Sequence, residues 1–228
     1  AASDKIFRLL DLPEHKQKVS ESFPMRHDAV CSNLRFSYEG GREILHGVDL
    51  QFNQGSFTAL VGESGCGKST IAAILMGRNK GYTGSAAIGG VELKDINENS
   101  LLQNITYIGH QSYLFKGTVR DNLLFPWTLK VNAGSPKPDD DVLNEILSLA
   151  MLDGVTLDHA AAQLSGGQLA RVALLRAFAT RPTVLLLDEV EAALDEESAV
   201  AVSRLTRAML AGGAACLRIR HRAEDGYA

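Results

Sequence analysis

The chain has 228 residues, 45% hydrophobic and 22% charged, enough to bury one substantial core, in a single domain of one or two lobes, but too few for several independent domains. The formal net charge of −4 implies neither a general nucleic-acid surface nor an acidic tail. No apolar run approaches the ~20 residues needed to cross a bilayer, and no secretory pattern opens at Ala1.

At the start of the chain Ile6, Phe7, Leu9 and Leu10 fall on one helical face behind Asp4, a possible cap, and Pro13 ends the pattern. A charged linker follows over 14–27. From Val30 the period changes to two. Val30, Leu34, Phe36 and Tyr38 line one face of an outer, half-exposed strand, and Gly40-Gly41 supplies the turn after it. The segments 57–61, 104–108 and 184–187 are short, apolar and β-rich, as strands covered by helices on both faces are, and they predict a parallel core sheet. Between about 118 and 162 the reading is helical. In DDDVLNEILSLAML, Val142, Leu143, Ile146, Leu147 and Ala150 recur at helical spacing behind an acidic first turn, an inserted helical lobe in which VNAGSPKPDD is a mobile surface loop. Cys31, Cys66 and Cys216 lack the close spacing of a zinc site and read as reduced thiols.

Chemistry concentrates at three places. The strand FTALV runs into GESGCGKST and then the apolar helix IAAILM. Gly62, Gly65 and Gly67 allow the loop to turn its backbone N–H groups inward, and the helix start adds positive potential, so the loop suits a polyphosphate. The cradle then comprises Gly62, Glu63, Ser64, Gly65, Cys66, Gly67, Lys68, Ser69 and Thr70, with Lys68 reaching the β- and γ-phosphates and Ser69 binding Mg2+. The second place is TVLLLDE. There a buried strand carries Asp188 to its carboxyl end, where ligands sit in open α/β sheets, so that Asp188 helps hold Mg2+. Glu189 follows beside the γ-phosphate, where a carboxylate orients and deprotonates water. An apolar strand ending in Asp-Glu is by itself commonplace; the cradle upstream is what makes it chemistry. The third is LSGGQ, two glycines ahead of the helix LARVALLRAFA. It is a second anion-accepting helix start in a chain that needs only one cradle, with Ser165 adding a hydroxyl; otherwise it is a capped helix with a Gly-rich entry.

The order and spacing of these motifs over residues 30–221 resemble the nucleotide-binding domain of ATP-binding cassette (ABC) transporters, whose signature is LSGGQ. The resemblance implies an α/β fold: a P-loop NTPase core with a mostly parallel sheet, an antiparallel β subdomain and an inserted α-helical lobe at about 112–168. It implies ATP and Mg2+ as ligands and a second such domain docked head to tail, so that Ser165, Gly166, Gly167 and Gln168 act in trans on the partner's ATP. On the same resemblance Tyr38 stacks on adenine, Gln111 senses Mg2+ and contacts the membrane partner, His221 contacts the γ-phosphate, and Leu194-Asp195 communicates across the dimer. The catalytic set is then Glu189, His221 and Lys68, and the metal set Ser69, Gln111 and Asp188.

The run LFKGTVRDNLLF resembles exporter-type members in particular, whose membrane and nucleotide domains are usually fused. Residues 1–29 then read as the join from a membrane domain and 30–228 as the ABC domain of an exporter at the cytoplasmic face of a membrane. Some features depart from the pattern. LDHAAAQ lacks the Gly-rich acidic stretch usual before the signature, Leu169 and Ala192 replace common polar residues, and Arg218 and Arg220 stand in a strand that is mostly apolar in the family. Buried arginines are costly, so an edge position or ion-pair partners are expected for them. A DNA-maintenance ATPase is the alternative within the family, but such proteins separate cradle and signature by a long insertion, and no basic stripe supports nucleic-acid binding. A degenerate cassette that binds ATP without hydrolysing it is a third reading, opposed by Glu189 and His221.

Overall fold

In the computed structural model, residues 22–109, 113–130, 134, 136–178, 180, 182–190 and 195–220 are described. The helix expected at the start of the chain, Gln111, Ala192, Leu194 and His221 fall outside them.

Two sheets organise the described chain. The first is antiparallel and contains β1 (Ala29–Ser37), β2 (Glu43–Phe52), β4 (Thr83–Ile88) and β5 (Val91–Glu92), in the order β2-β1-β4-β5. The second is parallel, in the order β3-β8-β7-β6, from β3 (Phe57–Val61), β6 (Ile105–Ile108), β7 (Val184–Asp188) and β8 (Ala215–Arg220). Six α-helices accompany them: α1 (Lys68–Leu75), α2 (Glu98–Asn104), α3 (Val119–Leu124), α4 (Asp140–Leu149), α5 (Gly166–Phe178) and α6 (Glu196–Ala211). The α/β class with separate parallel and antiparallel sheets is as the sequence implies.

β7 explains how the site is placed. Every residue of VLLLD is buried, as expected of a strand covered on both faces. Side chains alternate across it: Val184 and Leu186 enter one core with α1 and the antiparallel sheet, whereas Leu185 and Leu187 enter a second core with α3 to α6. The same alternation puts Asp188, two residues beyond Leu186, on the α1 face. In α4 the acidic Asp140 and Asp141 occupy the first turn and Leu143 and Leu147 are buried, with Ala150 just beyond, which matches the helical reading of that segment.

Two strand expectations are corrected. β1 is not an outer strand; β2 and β4 flank it. Nor does Val30 share a face with Leu34 and Phe36, because the buried set is Ala29, Cys31, Leu34 and Phe36, while Val30 is 37% exposed. The cause is a bulge. Pairing slips between Cys31 and Leu34, Asn33 adopts φ 47°, and its N–H donates to Asp49 Oδ1 at 2.9 Å. One extra residue reverses the alternation. The edge position offered for Arg218 and Arg220 is also wrong, since β8 lies between β3 and β7. The Arg218 guanidinium instead lies 5.0 Å from the centre of the Phe57 ring, a cation–π contact that compensates part of its desolvation.

Candidate functional site

Strand β3 delivers the chain to the glycine-rich loop, and α1 leaves it. Gly67 caps α1 with φ 98°, and no side chain bonds to the first-turn N–H groups, which also hold no acidic residue. The other helices differ. Asn97, Thr118, Asp139 and Asp195 cap α2, α3, α4 and α6 through side-chain oxygens, and Ser165 with Gln168 caps α5. Among the described α-helices, α1 is therefore the one whose orphan donors and positive dipole end are left to an external anion. The loop is shaped for close approach. Gly65 at φ 80° has open space where a Cβ would be, whereas a Cβ on Gly62 would sit 2.8 Å from Cys66 Sγ.

Lys68 is buried to 6% exposure. Its ammonium donates to the carbonyls of Gly62 at 2.7 Å and Glu63 at 2.8 Å, so the loop's own backbone holds the charge at its mouth. Glu63, Ser64, Gly65 and Cys66 are exposed, and Thr70 is buried on the helix. Ser69 Oγ donates to Asp188 Oδ2 at 2.9 Å, joining the first turn of α1 to the carboxyl end of β7. This contact spans the two sequence motifs assigned to the metal. A hydroxyl beside a carboxylate supplies the hard oxygen donors that Mg2+ takes together with phosphate oxygens and water, so the residues fit that ion.

Beyond Asp188 the backbone turns at Glu189, which adopts φ 51° and donates its N–H to Ile219 O at 3.0 Å. A non-glycine residue in the left-handed region is strained, and here the strain carries the half-buried Glu189 off the strand axis at the sheet's carboxyl edge. Tyr38, just past β1, is 50% exposed. Its ring rests edge-on against Phe36 at 4.9 Å and its hydroxyl accepts from Asn79 Nδ2 at 3.5 Å, leaving a supported aromatic face toward solvent.

The LSGGQ segment forms a reciprocal cap. Ser165 N–H donates to Gln168 Oε1 at 2.9 Å, and Gln168 N–H donates to Ser165 Oγ at 3.2 Å. The intervening N–H groups of Gly166 and Gly167 have no intrahelical partner, and space is open above Gly166. A Cβ on Gly167 would collide with the Asp195 carboxylate, so this glycine is what lets α5 approach the cap of α6. Arg171 reinforces that approach. It donates to Met151 O at 3.0 Å and pairs with Glu197 at 3.1 Å while itself buried. These hydrogen bonds of the segment run within the cap and to Arg171, and among the described residues none runs to the phosphate loop.

One residue of the site was not singled out in the sequence. Tyr107 on β6 donates its hydroxyl to Asp188 Oδ2 at 2.8 Å. Burial, followed by the Asp188 hydrogen bond and charge, pushes its phenol up to about 12, so it is a donor at neutral pH. Only knowledge of which strands pair could have identified it.

Comparison with known proteins places this geometry. The family model described as ABC transporter matches residues 45–192. The chain is 34% identical over 204 residues to an uncharacterized ABC transporter ATP-binding protein of Haemophilus influenzae, covering 87% of this chain and 36% of that protein. It is 33% identical to the transport/processing ATP-binding protein ComA of Streptococcus pneumoniae, covering 80% of this chain and 26% of ComA. Against the alpha-factor-transporting ATPase of Saccharomyces cerevisiae the identity is 34%, over 78% of this chain and 15% of the relative. The structure of a bacterial Atm1-family ABC exporter with ATP bound superposes with a TM-score of 0.77 at 28% identity, over 96% of this chain and 39% of that one. The chain thus spans about a third or less of the curated relatives named here.

Proposed function

The chain belongs to the ABC transporter family, and from that premise we propose that it is the ATP-binding and ATP-hydrolysing motor domain of an ABC exporter, closing against a second such domain on ATP and reopening after hydrolysis. The observation that carries this reading is the uncapped start of α1 with the buried Lys68 beside it and the Ser69–Asp188 pair at its first turn. Positive potential, free N–H groups and hard oxygen donors converge there as a nucleoside triphosphate with its cation requires. The similarity to an exporter described with ATP bound supports the same ligand.

In this mechanism Tyr38 offers its exposed ring to the adenine, and the loop 62–67 wraps the phosphates with its N–H groups. Lys68 exchanges its two carbonyl partners for phosphate oxygens, a charge-assisted pairing. Ser69 and Asp188 would hold Mg2+, which when bound neutralises phosphate charge. Glu189, turned off the strand, takes a proton from the attacking water. Gln111 and His221 belong to the same proposal as metal and γ-phosphate contacts. Ser165, Gly166, Gly167 and Gln168 act on ATP held by the partner domain, for which the exposed Ser165 and Gly166 are suited. Residues 1–29 join this domain (30–228, helical lobe about 112–168) to a membrane domain, placing it at the cytoplasmic membrane face.

Titration with a fluorescent ATP analogue tests the cradle. Lys68→Ala removes a charged donor and should weaken binding about tenfold or more. Equal affinity in the two proteins would remove the cradle from consideration.

A further inference from the structure

We propose that Tyr107 is a positioning residue for the cation: its hydroxyl fixes the Asp188 carboxylate in the orientation that receives Mg2+ with the nucleotide. The inference rests on the proposed Mg-ATP site and adds a residue outside both sequence motifs that define it.

The geometry follows from the sheet. β6 runs parallel to β7 with Tyr107 opposite Leu186. Asp188 lies two residues further along β7 on the same face, so a long side chain on Tyr107 reaches it diagonally. Its ring packs against the core shared with Leu186 and α1. The hydroxyl is consequently placed by packing and does not depend on Asp188 for its position. Ser69 Oγ and Tyr107 Oη converge on the same oxygen, Oδ2, at 2.9 and 2.8 Å. Oδ1 takes no hydrogen bond among the described residues, and Asp188 as a residue is only 7% exposed. Two donors on one oxygen set the plane of the group and leave the other oxygen to the cation or its water. Ser69 can keep donating its proton to Oδ2 while an oxygen lone pair goes to the metal, but one donor leaves the carboxylate free to rotate about that bond. Tyr107 supplies the second, from a ring held by packing and with no part in coordination.

A donor on Oδ2 also withdraws charge from the carboxylate, which opposes cation binding. Orientation outweighs this where groups behind a metal ligand have been replaced, at a loss of about tenfold or more in metal affinity. Tyr107→Phe retains the packed ring and deletes the single bond, so it separates the two effects from loss of packing.

The test compares affinity for a fluorescent, non-hydrolysable ATP analogue in saturating Mn2+ with affinity in EDTA. The ratio of the two is the metal's contribution and needs no turnover. In Tyr107→Phe the ratio should fall about tenfold while affinity in EDTA changes less than about twofold. A ratio that is unchanged or larger overturns the proposal. So does an equal loss in EDTA, or a variant that fails to fold, since either assigns the hydroxyl to structure. Asp188→Asn is the separate arm: it should remove the metal's contribution, and if it does not, the Mg-ATP site itself is misplaced and Tyr107 loses its role with it.

Discussion

Gly67→Ala and Gly65→Ala separate two reasons for glycine in the phosphate loop. Both residues have positive φ, 98° and 80° respectively, and a left-handed conformation costs an L-residue about 1–2 kcal/mol. Their surroundings differ. A Cβ on Gly65 meets open space, whereas one on Gly67 falls 2.6 Å from Leu45 Cδ2 and 3.2 Å from Ile44 Cγ2. Leu45 is 1% exposed and part of the first core, so it has nowhere to retreat. Forcing a methyl into such a core adds about 1–3 kcal/mol. Gly65→Ala should therefore cost about 1–2 kcal/mol and Gly67→Ala about 2–5 kcal/mol, a large share of the ~5–15 kcal/mol that stabilises a typical domain. Urea unfolding followed by circular dichroism measures both, with the midpoint read at constant slope. If Gly67→Ala cost no more than Gly65→Ala, contact between the loop and β2 would not be what requires the second glycine.

Tyr38→Ala should weaken ATP binding about two- to tenfold by removing a stacking face, while Tyr38→Phe retains it; equal damage from both would assign the effect to the Asn79 hydrogen bond instead. Glu189→Gln should bind ATP yet lose hydrolysis by roughly 10²-fold or more, and light scattering with Mg-ATP should then detect a dimer. Adding Ser165→Arg puts a bulky cation at the cap of α5 and should abolish that dimer while sparing ATP binding by the monomer. A Glu189→Gln protein that binds ATP but never dimerises, even joined to the proposed membrane domain, would refute closure in trans.

The phosphate loop is legible from residues alone, because glycine spacing, a preceding strand and a following helix state a local geometry that needs no distant partner. The buried β7 is legible in the same way, its unbroken apolar run ending in Asp188 and Glu189, and so is a helix after LSGGQ, although α5 starts at Gly166 and takes both glycines into its first turn, where the sequence reading began it at Leu169. The α/β class and the two kinds of sheet were implied by the resemblance that these motifs carry. The remaining features depend on pairing between segments far apart in the chain. The bulge at Asn33 reverses the facing of Val30, and alternation read from residues alone cannot see an inserted residue. The central position of β8 and the Phe57 ring beneath Arg218 depend on strand order, which period and composition do not encode. Tyr107 reaches Asp188 across 81 positions of sequence, and Gly167 yields to Asp195 on another helix. Each is a contact fixed by the packing of whole elements, whereas the motifs legible beforehand are those whose backbone geometry is set by their immediate neighbours.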